Sequence, residues 1–218
     1  MSDSLIAIAG RGWVVIASDA MAAHSIIAAK GDEDKIYPLD DDKLLGCCGE
    51  PADRNLFCEY VQKNVALYTL MNNGLHMTPR SAANWVRTEI RKALREGPYQ
   101  VNLVVAGTTG ELFHIDYLGA LQRLNYSAQG YSGHFVLGLL DRYWRPDMTL
   151  EEGLELLRMC VREVQARLVL NAPRYIVKAV VSGRGICVMD PIEGSQPLPP
   201  YRAPVGAVSS DAPAAVRS

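Results

Sequence analysis

The segments rich in glycine, cysteine or histidine are the first places to look for chemistry. Gly183-Arg184-Gly185 lacks the strand, loop and helix in succession that a phosphate-binding loop needs, so it predicts a hairpin turn. The segment Gly130–His134 has the wrong spacing for a nucleophile elbow, because a glycine follows Ser132 directly. It predicts the start of the third helix, at Gly130–Tyr143. A zinc site would have to gather cysteines and histidines from distant positions, since the chain has no C-x-x-C pair. We therefore expect neither a metal nor another cofactor.

A sharper candidate is the oppositely charged pair Asp19 and Lys35. Asp19 closely follows the apolar strand predicted at Trp13–Ala17, and Lys35 opens another predicted strand sixteen residues later. A charged pair at strand ends is normally a surface or structural feature, and an ion pair near a surface contributes only about 0–1 kcal/mol to stability. From the residues alone we expect a structural ion pair.

The hydrophobic pattern predicts the elements that must position this pair. Strands run to about residue 48, followed by two helices, more strands, two more helices and two last strands. Phe57, Val61 and Val65 recur at helical spacing, and Thr149 with Glu152 forms a capping box before the fourth helix. Short turns between strands favour antiparallel pairing, and each helix pair must cover one face of a sheet. The expected fold is α+β, a four-layer αββα sandwich.

Composition limits the classes of function. The chain has 218 residues, a net charge of −2 and a pI of about 6.1, which leaves no basic face for nucleic acid. It lacks an apolar run of about 18 residues, so we expect no membrane span. Five cysteines without a recognisable secretory signal predict reduced thiols in the cytosol or nucleus. Proline, alanine, serine and glycine dominate the end, which predicts a folded domain at 1–192 and a tail without its own core at 193–218.

Several segments resemble the β subunits of the 20S proteasome core, which have the N-terminal-nucleophile hydrolase fold. The resemblance covers about residues 4–190 and is strongest for the non-catalytic subunits at the fourth β position of the eukaryotic ring. The α subunits carry an extra helix before their first strand, which this sequence does not show, so we expect a β subunit. The segments that carry the resemblance are Val14–Asp19, Tyr60–Tyr68, Tyr99–Gly107, Asp116–Leu118, Leu140–Tyr143, Leu156–Cys160 and Leu170–Pro173.

The resemblance implies a role for the charged pair. In active family members a free N-terminal threonine supplies the nucleophilic hydroxyl and a basic amine, a lysine lowers the pKa of this system, and an aspartate holds the lysine. Asp19 and Lys35 match the aspartate and the lysine. The chain has no threonine at the nucleophile position, where Ser2 or Asp3 stands instead.

Two further departures concern residues that support the nucleophile. Tyr131 stands where active members have an assisting serine, and Asn171 stands where they have an aspartate after the fourth helix. We therefore expect a non-catalytic subunit in which Asp19 and Lys35 are vestigial. The alternative is an active peptidase that uses Ser2 after removal of Met1.

The resemblance also implies partners and a cellular location. We expect contacts with other α and β subunits in stacked heptameric rings, and with unfolded polypeptide substrates only through the assembled complex. The expected location is the cytoplasm and nucleus. The polar face of the second helix, with Arg87, Arg91 and Arg95, is the predicted subunit interface.

Overall fold

The strands follow from short apolar runs separated by turns. The computed structural model describes residues 3–24, 27–168 and 172–194. The strands of these residues, in chain order, are β1 (Ser4–Gly10), β2 (Trp13–Asp19), β3 (Ala22–His24), β4 (Ile27–Lys30), β5 (Ile36–Asp40), β6 (Lys43–Gly49), β7 (Val101–Gly107), β8 (Leu112–Ile115), β9 (Leu121–Leu124), β10 (Tyr126–Gly130), β11 (Arg174–Val181), β12 (Gly185–Val188) and β13 (Ile192–Glu193).

The helices come in two pairs, each placed between groups of strands. They are α1 (Pro51–Met71), α2 (Pro79–Ala93), α3 (Ser132–Tyr143) and α4 (Leu150–Arg167). α1 and α2 each begin with a proline. Proline lacks a backbone N–H, and the first N–H of a helix makes no hydrogen bond within the helix, so none is lost there. The capping box predicted for α4 is present: the Thr149 side chain accepts from the Glu152 N–H, and the Glu152 side chain accepts from the Thr149 N–H.

The strands form two main sheets and one small hairpin, and every pairing is antiparallel. One sheet has the order β10-β1-β2-β11-β12, with β13 also paired to β11, and the other has the order β5-β6-β7-β8-β9. β3 and β4 pair only with each other. The predicted antiparallel topology is confirmed.

Alternating side chains of the strands build three apolar layers. On β1, Leu5 and Ala7 pack into the layer between the two sheets, whereas Ile6 and Ile8 face the layer under α3 and α4. A third layer lies between the other sheet and the pair α1 and α2. The order of layers is therefore helices, sheet, sheet, helices, which confirms the predicted αββα sandwich.

Some element boundaries differ from the sequence-based expectation. Gly130, expected at the start of the third helix, ends β10 instead, and the helix begins at Ser132. The residues of β10 were missed because Ser127 and Gln129 interrupt the apolar pattern, yet β10 pairs along β1. Pairing between β13 and β11 includes Glu193, one residue past the predicted domain boundary, and the rest of the predicted tail, 195–218, lies outside the described residues.

Replacing Thr149 by alanine should lower the free energy of unfolding by about 0.5–2 kcal/mol. The change removes the acceptor for the Glu152 N–H at the start of α4 and breaks the reciprocal pair. Urea unfolding of the full chain measures this difference. Thr149→Ser keeps the acceptor and is the matched control, so equal losses in both variants would contradict the capping role.

Candidate functional site

The candidate site lies where the ends of several elements meet. Asp19 is the last residue of β2, and Lys35 directly precedes β5. Asp3 directly precedes β1, and Arg54 lies in the first turn of α1. The structure therefore brings the predicted pair Asp19 and Lys35 together and adds two charged residues to it.

The Lys35 ammonium group has three hydrogen-bond partners. Its Nζ lies 2.7 Å from Oδ1 of Asp19, 2.8 Å from Oδ1 of Asp3 and 3.0 Å from the carbonyl oxygen of Met21. A lysine ammonium group has three N–H donors. These three acceptors therefore use all of them.

Asp19 and Lys35 form a buried pair rather than one near the surface. Asp19 is 2% exposed and Lys35 is 1% exposed, because both lie beneath the ends of the sheets. Asp19 also accepts hydrogen bonds from the backbone N–H of Ser4, at 2.7 Å, and of Met21, at 3.2 Å. Burial raises the pKa of Asp19, although Lys35 and the Ser4 N–H oppose the rise.

Asp3 connects the pair to a second buried cation. Its Oδ2 accepts from the Gly49 N–H at 3.1 Å and from Nη1 of Arg54 at 3.0 Å. The other terminal nitrogen of Arg54 donates to Oε1 of Glu33 at 2.7 Å. Burial alone would lower the pKa of Arg54, but Asp3 and its other polar neighbours raise it overall.

The buried charge network, as we call it, consists of three carboxylates and two cations. Excess negative charge in a buried place is tolerated here because backbone N–H groups of Ser4, Met21 and Gly49 also donate to the carboxylates. The members of the network are Asp3, Asp19, Glu33, Lys35 and Arg54.

A close backbone approach fixes the position of Asp3. Gly130 has a φ of +71°, and a Cβ at this residue would lie 1.8 Å from the carbonyl oxygen of Asp3. Ser4 pairs with Gly130 in the register of β1 and β10. The missing side chain at Gly130 is therefore what lets the start of β1 lie in the sheet with the Asp3 carboxylate next to Lys35.

Among residues 3–24, 27–168 and 172–194, the Cys48, Ser132 and Tyr131 side chains near the network are not activated nucleophiles. Cys48 is buried next to the network, and burial raises the pKa of its thiol to about 12, so the thiol stays protonated at neutral pH. The buried Ser132 hydroxyl donates to the carbonyl oxygen of Gln129 at 2.7 Å. Tyr131 is the N-cap residue of α3 and makes no side-chain capping bond.

Some predicted positions are not part of the network. Ser2 and Asn171 lie outside the described residues. Arg87 and Arg91 lie on α2, and Arg95 follows its C-cap residue, Leu94, so the structure does not bring them to the network. Their role at a subunit interface stays a prediction.

Sequence reasoning missed Arg54 and Glu33 as members of the network. Arg54 precedes Phe57 by three residues and Cys58 by four, so it falls on the apolar stripe of α1, and it is 1% exposed. A charged residue on an apolar helical stripe is the signal that could have found it. Glu33 carried no such signal, because it lies in an acidic loop, and the pattern of such a loop predicts side chains exposed to solvent.

The described residues show neither a metal centre nor a membrane-crossing helix. In residues 3–24, 27–168 and 172–194, the His, Cys, Asp and Glu side chains form no group of three or more that could hold a metal ion. In the same ranges, each helix is too short or too polar to cross a membrane.

Comparison with known proteins decides the family. The family model for proteasome subunits matches residues 1–180. This chain belongs to the proteasome subunit family. As a member, it is a component of the proteasome core and assembles with other proteasome subunits. The N-terminal-nucleophile hydrolase fold expected from the resemblance agrees with the sandwich described above.

Similar proteins are proteasome β subunits from distant eukaryotes. Proteasome subunit beta type-2-A of Arabidopsis thaliana is 42% identical over 182 residues, which cover 82% of this chain and 89% of the relative. Proteasome subunit beta type-2 of Dictyostelium discoideum is 41% identical over 194 residues, 86% of this chain and 96% of the relative. Proteasome subunit beta type-4 of Saccharomyces cerevisiae is 38% identical over 184 residues, 82% and 92% respectively. The resemblance to β subunits is thus confirmed.

Proposed function

We propose that this chain is a non-catalytic, structural β subunit of the 20S proteasome core. It completes a heptameric β ring, and neighbouring threonine-protease subunits carry out the degradation of ubiquitin-marked proteins. In this proposal the partners are α and β subunits in stacked rings, and unfolded polypeptides reach the chain only within the assembled complex. The proposed location is the cytoplasm and nucleus.

The observation that carries the proposal is that all three N–H donors of the Lys35 ammonium group already have acceptors. In an active family member the lysine serves the nucleophilic hydroxyl, whereas here its three N–H donors go to Asp19, Asp3 and the Met21 carbonyl. Asp3 is one of the two residues, with Ser2, that the resemblance puts at the nucleophile position. It accepts from Lys35, Arg54 and the Gly49 N–H, so its charge is neutralised and it is a poor nucleophile.

Loss of the supporting groups points the same way. Tyr131 and Asn171 replace two side chains that assist the nucleophile in active members. Removing one acid–base or electrostatic group commonly costs on the order of 10²–10⁴ in rate. These two replacements, and the use of all three Lys35 N–H donors by other acceptors, favour a structural role over the active alternative with Ser2.

Covalent labelling of the assembled particle tests the proposal. Purified 20S particles are treated with a peptide epoxyketone, and the intact mass of each subunit is measured. We expect the mass of this chain to stay unchanged while other β subunits gain the mass of the probe. An adduct on this chain that does not arise from thiol alkylation contradicts the proposal, and an adduct on Ser2 after loss of Met1 supports the active alternative.

A control variant separates catalysis from simple alkylation. Cys187 is the partly exposed thiol of this chain, whereas Cys47, Cys48, Cys58 and Cys160 are buried. An adduct that disappears in Cys187→Ser is thiol alkylation and does not count as catalysis. An adduct that persists in Cys187→Ser contradicts the non-catalytic role.

A further inference from the structure

Three arginines four residues apart lie at the C-terminal end of α2. Arg91 and Arg95 are exposed and Arg87 is half-buried. Arg87 and Arg91 share one helical face because residues four apart are neighbours on an α-helix. Arg95 follows the C-cap residue Leu94, whose backbone is still helical.

These guanidinium groups have no anionic partner within the chain that the structure describes. Some other exposed cations have one: Lys92 pairs with Glu89, Arg158 with Glu155, and Arg167 with Glu163, each three or four residues away. By contrast, none of Arg87, Arg91 and Arg95 makes an ion pair or a side-chain hydrogen bond with any described residue. Their charges are left to solvent or to a partner.

The spacing itself opposes folding of the isolated helix. Arg87 is four residues from Arg91, and Arg91 is four residues from Arg95, so the nearest helical neighbours are like charges, which repel. The positions three residues from Arg91 are Thr88 and Leu94, which are uncharged. The helix dipole offsets part of this repulsion near the C-terminus. A chain that keeps such a row presents a concentrated positive surface.

A turn whose tip carries two exposed large side chains, Tyr117 and Leu118, lies against α2 at Arg91. Gly119 has a φ of +75°, and a Cβ there would lie 2.5 Å from Cγ of Arg91. The Asp116 carboxylate accepts from the backbone N–H groups of Leu118 and Ala120, at 3.1 and 2.7 Å, and so holds the turn. Tyr117 is 42% exposed and Leu118 is 49% exposed at its tip.

We propose that this surface docks on a carboxylate-rich face of a neighbouring proteasome subunit, an inference that rests on the proposed structural role. We call it the arginine face, and it consists of Arg87, Arg91, Arg95, Tyr117 and Leu118. Guanidinium groups form charge-assisted hydrogen bonds with carboxylates, which are stronger than hydrogen bonds between neutral groups. Arginine and tyrosine are also the residue types that carry most binding energy in protein interfaces.

The partner that the observations favour is a protein and not a nucleic acid. The chain has a net charge of −2, and the arginine face supplies only three cations, few for a phosphate backbone. Its exposed tyrosine and leucine fit the apolar centre of a protein interface.

Zero-length cross-linking in the assembled particle identifies the contact. Arg91→Lys retains the Cγ and Cδ atoms that pack on Gly119 and supplies an amine that a carbodiimide couples to a touching carboxylate. We expect the variant, and not the wild type, to give a cross-link at position 91 to an Asp or Glu of another subunit. The absence of an inter-subunit cross-link at this position, with only cross-links within the chain, overturns the proposal.

Charge reversal measures how much assembly depends on the face. The triple variant Arg87→Glu, Arg91→Glu, Arg95→Glu should incorporate into 20S particles about tenfold less than the wild type. The matched triple variant with lysine at the same positions keeps the charge and should incorporate within about twofold of the wild type. Reversed and lysine variants that both assemble normally, or both fail equally, overturn the role of charge.

Two readouts separate this proposal from the proposed function. If the wild-type chain itself is absent from purified 20S particles, the structural role fails; if the wild type and the reversed variant are equally present, only the arginine face fails. Co-purifying nucleic acid that is lost in a normally assembled reversed variant overturns the choice of a protein partner. Should the reversed variant not fold, the Arg91→Lys cross-link still decides the contact.

Discussion

Replacing Lys35 by methionine should lower the free energy of unfolding by about 3–5 kcal/mol. The change removes the cation between the partly buried carboxylate of Asp3 and the buried carboxylate of Asp19, whose oxygens lie 2.8 and 2.7 Å from its Nζ. The two neighbouring carboxylates would then repel each other in a place where water solvates them poorly. Urea unfolding of the full chain, followed by tryptophan fluorescence, measures the loss.

A surface lysine provides the matched control for this prediction. The Lys63 side chain is 73% exposed and pairs with Glu59 on the same face of α1. Lys63→Met makes the same chemical change in solvent, so we expect no measurable shift of the urea midpoint. Equal effects of Lys35→Met and Lys63→Met would contradict a stabilising buried network.

A double variant identifies the partner whose charge matters. Asp3→Asn removes one of the two carboxylates that Lys35 neutralises, so part of the loss in Lys35→Met should be regained in the double variant. The coupling between the two changes should be about 0.5–3 kcal/mol, as is typical for residues in contact. Strict additivity would mean that Asp3 and Lys35 act independently.

Replacing Gly130 by alanine should cost about 2–4 kcal/mol, from left-handed backbone strain and a forced shift of the neighbouring strand. Gly130 has a φ of +71°, and the new Cβ would lie 1.8 Å from the Asp3 carbonyl oxygen. A backbone atom cannot rotate away as a flexible side chain can. The start of β1 must therefore move, and the Asp3 carboxylate moves away from Lys35 with it.

A second glycine in the adjoining helix gives the opposite expectation. Gly138 lies inside α3, and a Cβ there would meet no atom within 4 Å. Gly138→Ala should raise the free energy of unfolding by about 0.5–1 kcal/mol, because alanine loses less backbone entropy in a helix. The two alanine variants are compared by thermal and urea unfolding, and the same sign of change in both would refute the steric account of Gly130.

Both of these predictions concern the placement of Asp3, on which the proposed lack of catalysis also depends. Gly130 lets the start of β1 lie beside β10, and Lys35 and Arg54 then hold the Asp3 carboxylate from two sides. The stability of the buried charge network therefore depends on the same hydrogen bonds that occupy the three N–H donors of Lys35. A lysine whose donors serve stability is not available to a nucleophile, which fits a subunit whose role is assembly.

The amino-acid sequence by itself determined those features whose causes lie within a few residues. The capping box joins Thr149 and Glu152, three residues apart, and the apolar stripe of α1 repeats every three or four residues. Short turns between strands likewise determined the antiparallel pairing, and two helix pairs then required the four-layer sandwich. The resemblance added the match at Asp19 and Lys35.

Only the tertiary structure decided how the charged residues are used. The Lys35 contact with Asp3 joins residues 32 apart in the chain, and the Arg54 contact with Asp3 joins residues 51 apart. Burial of the pair, which the sequence left undecided, arises from the packing of the strand ends that surround it. Such burial arises because elements distant in the sequence pack together. The spacing of residues within one element does not determine which distant residues will be in contact.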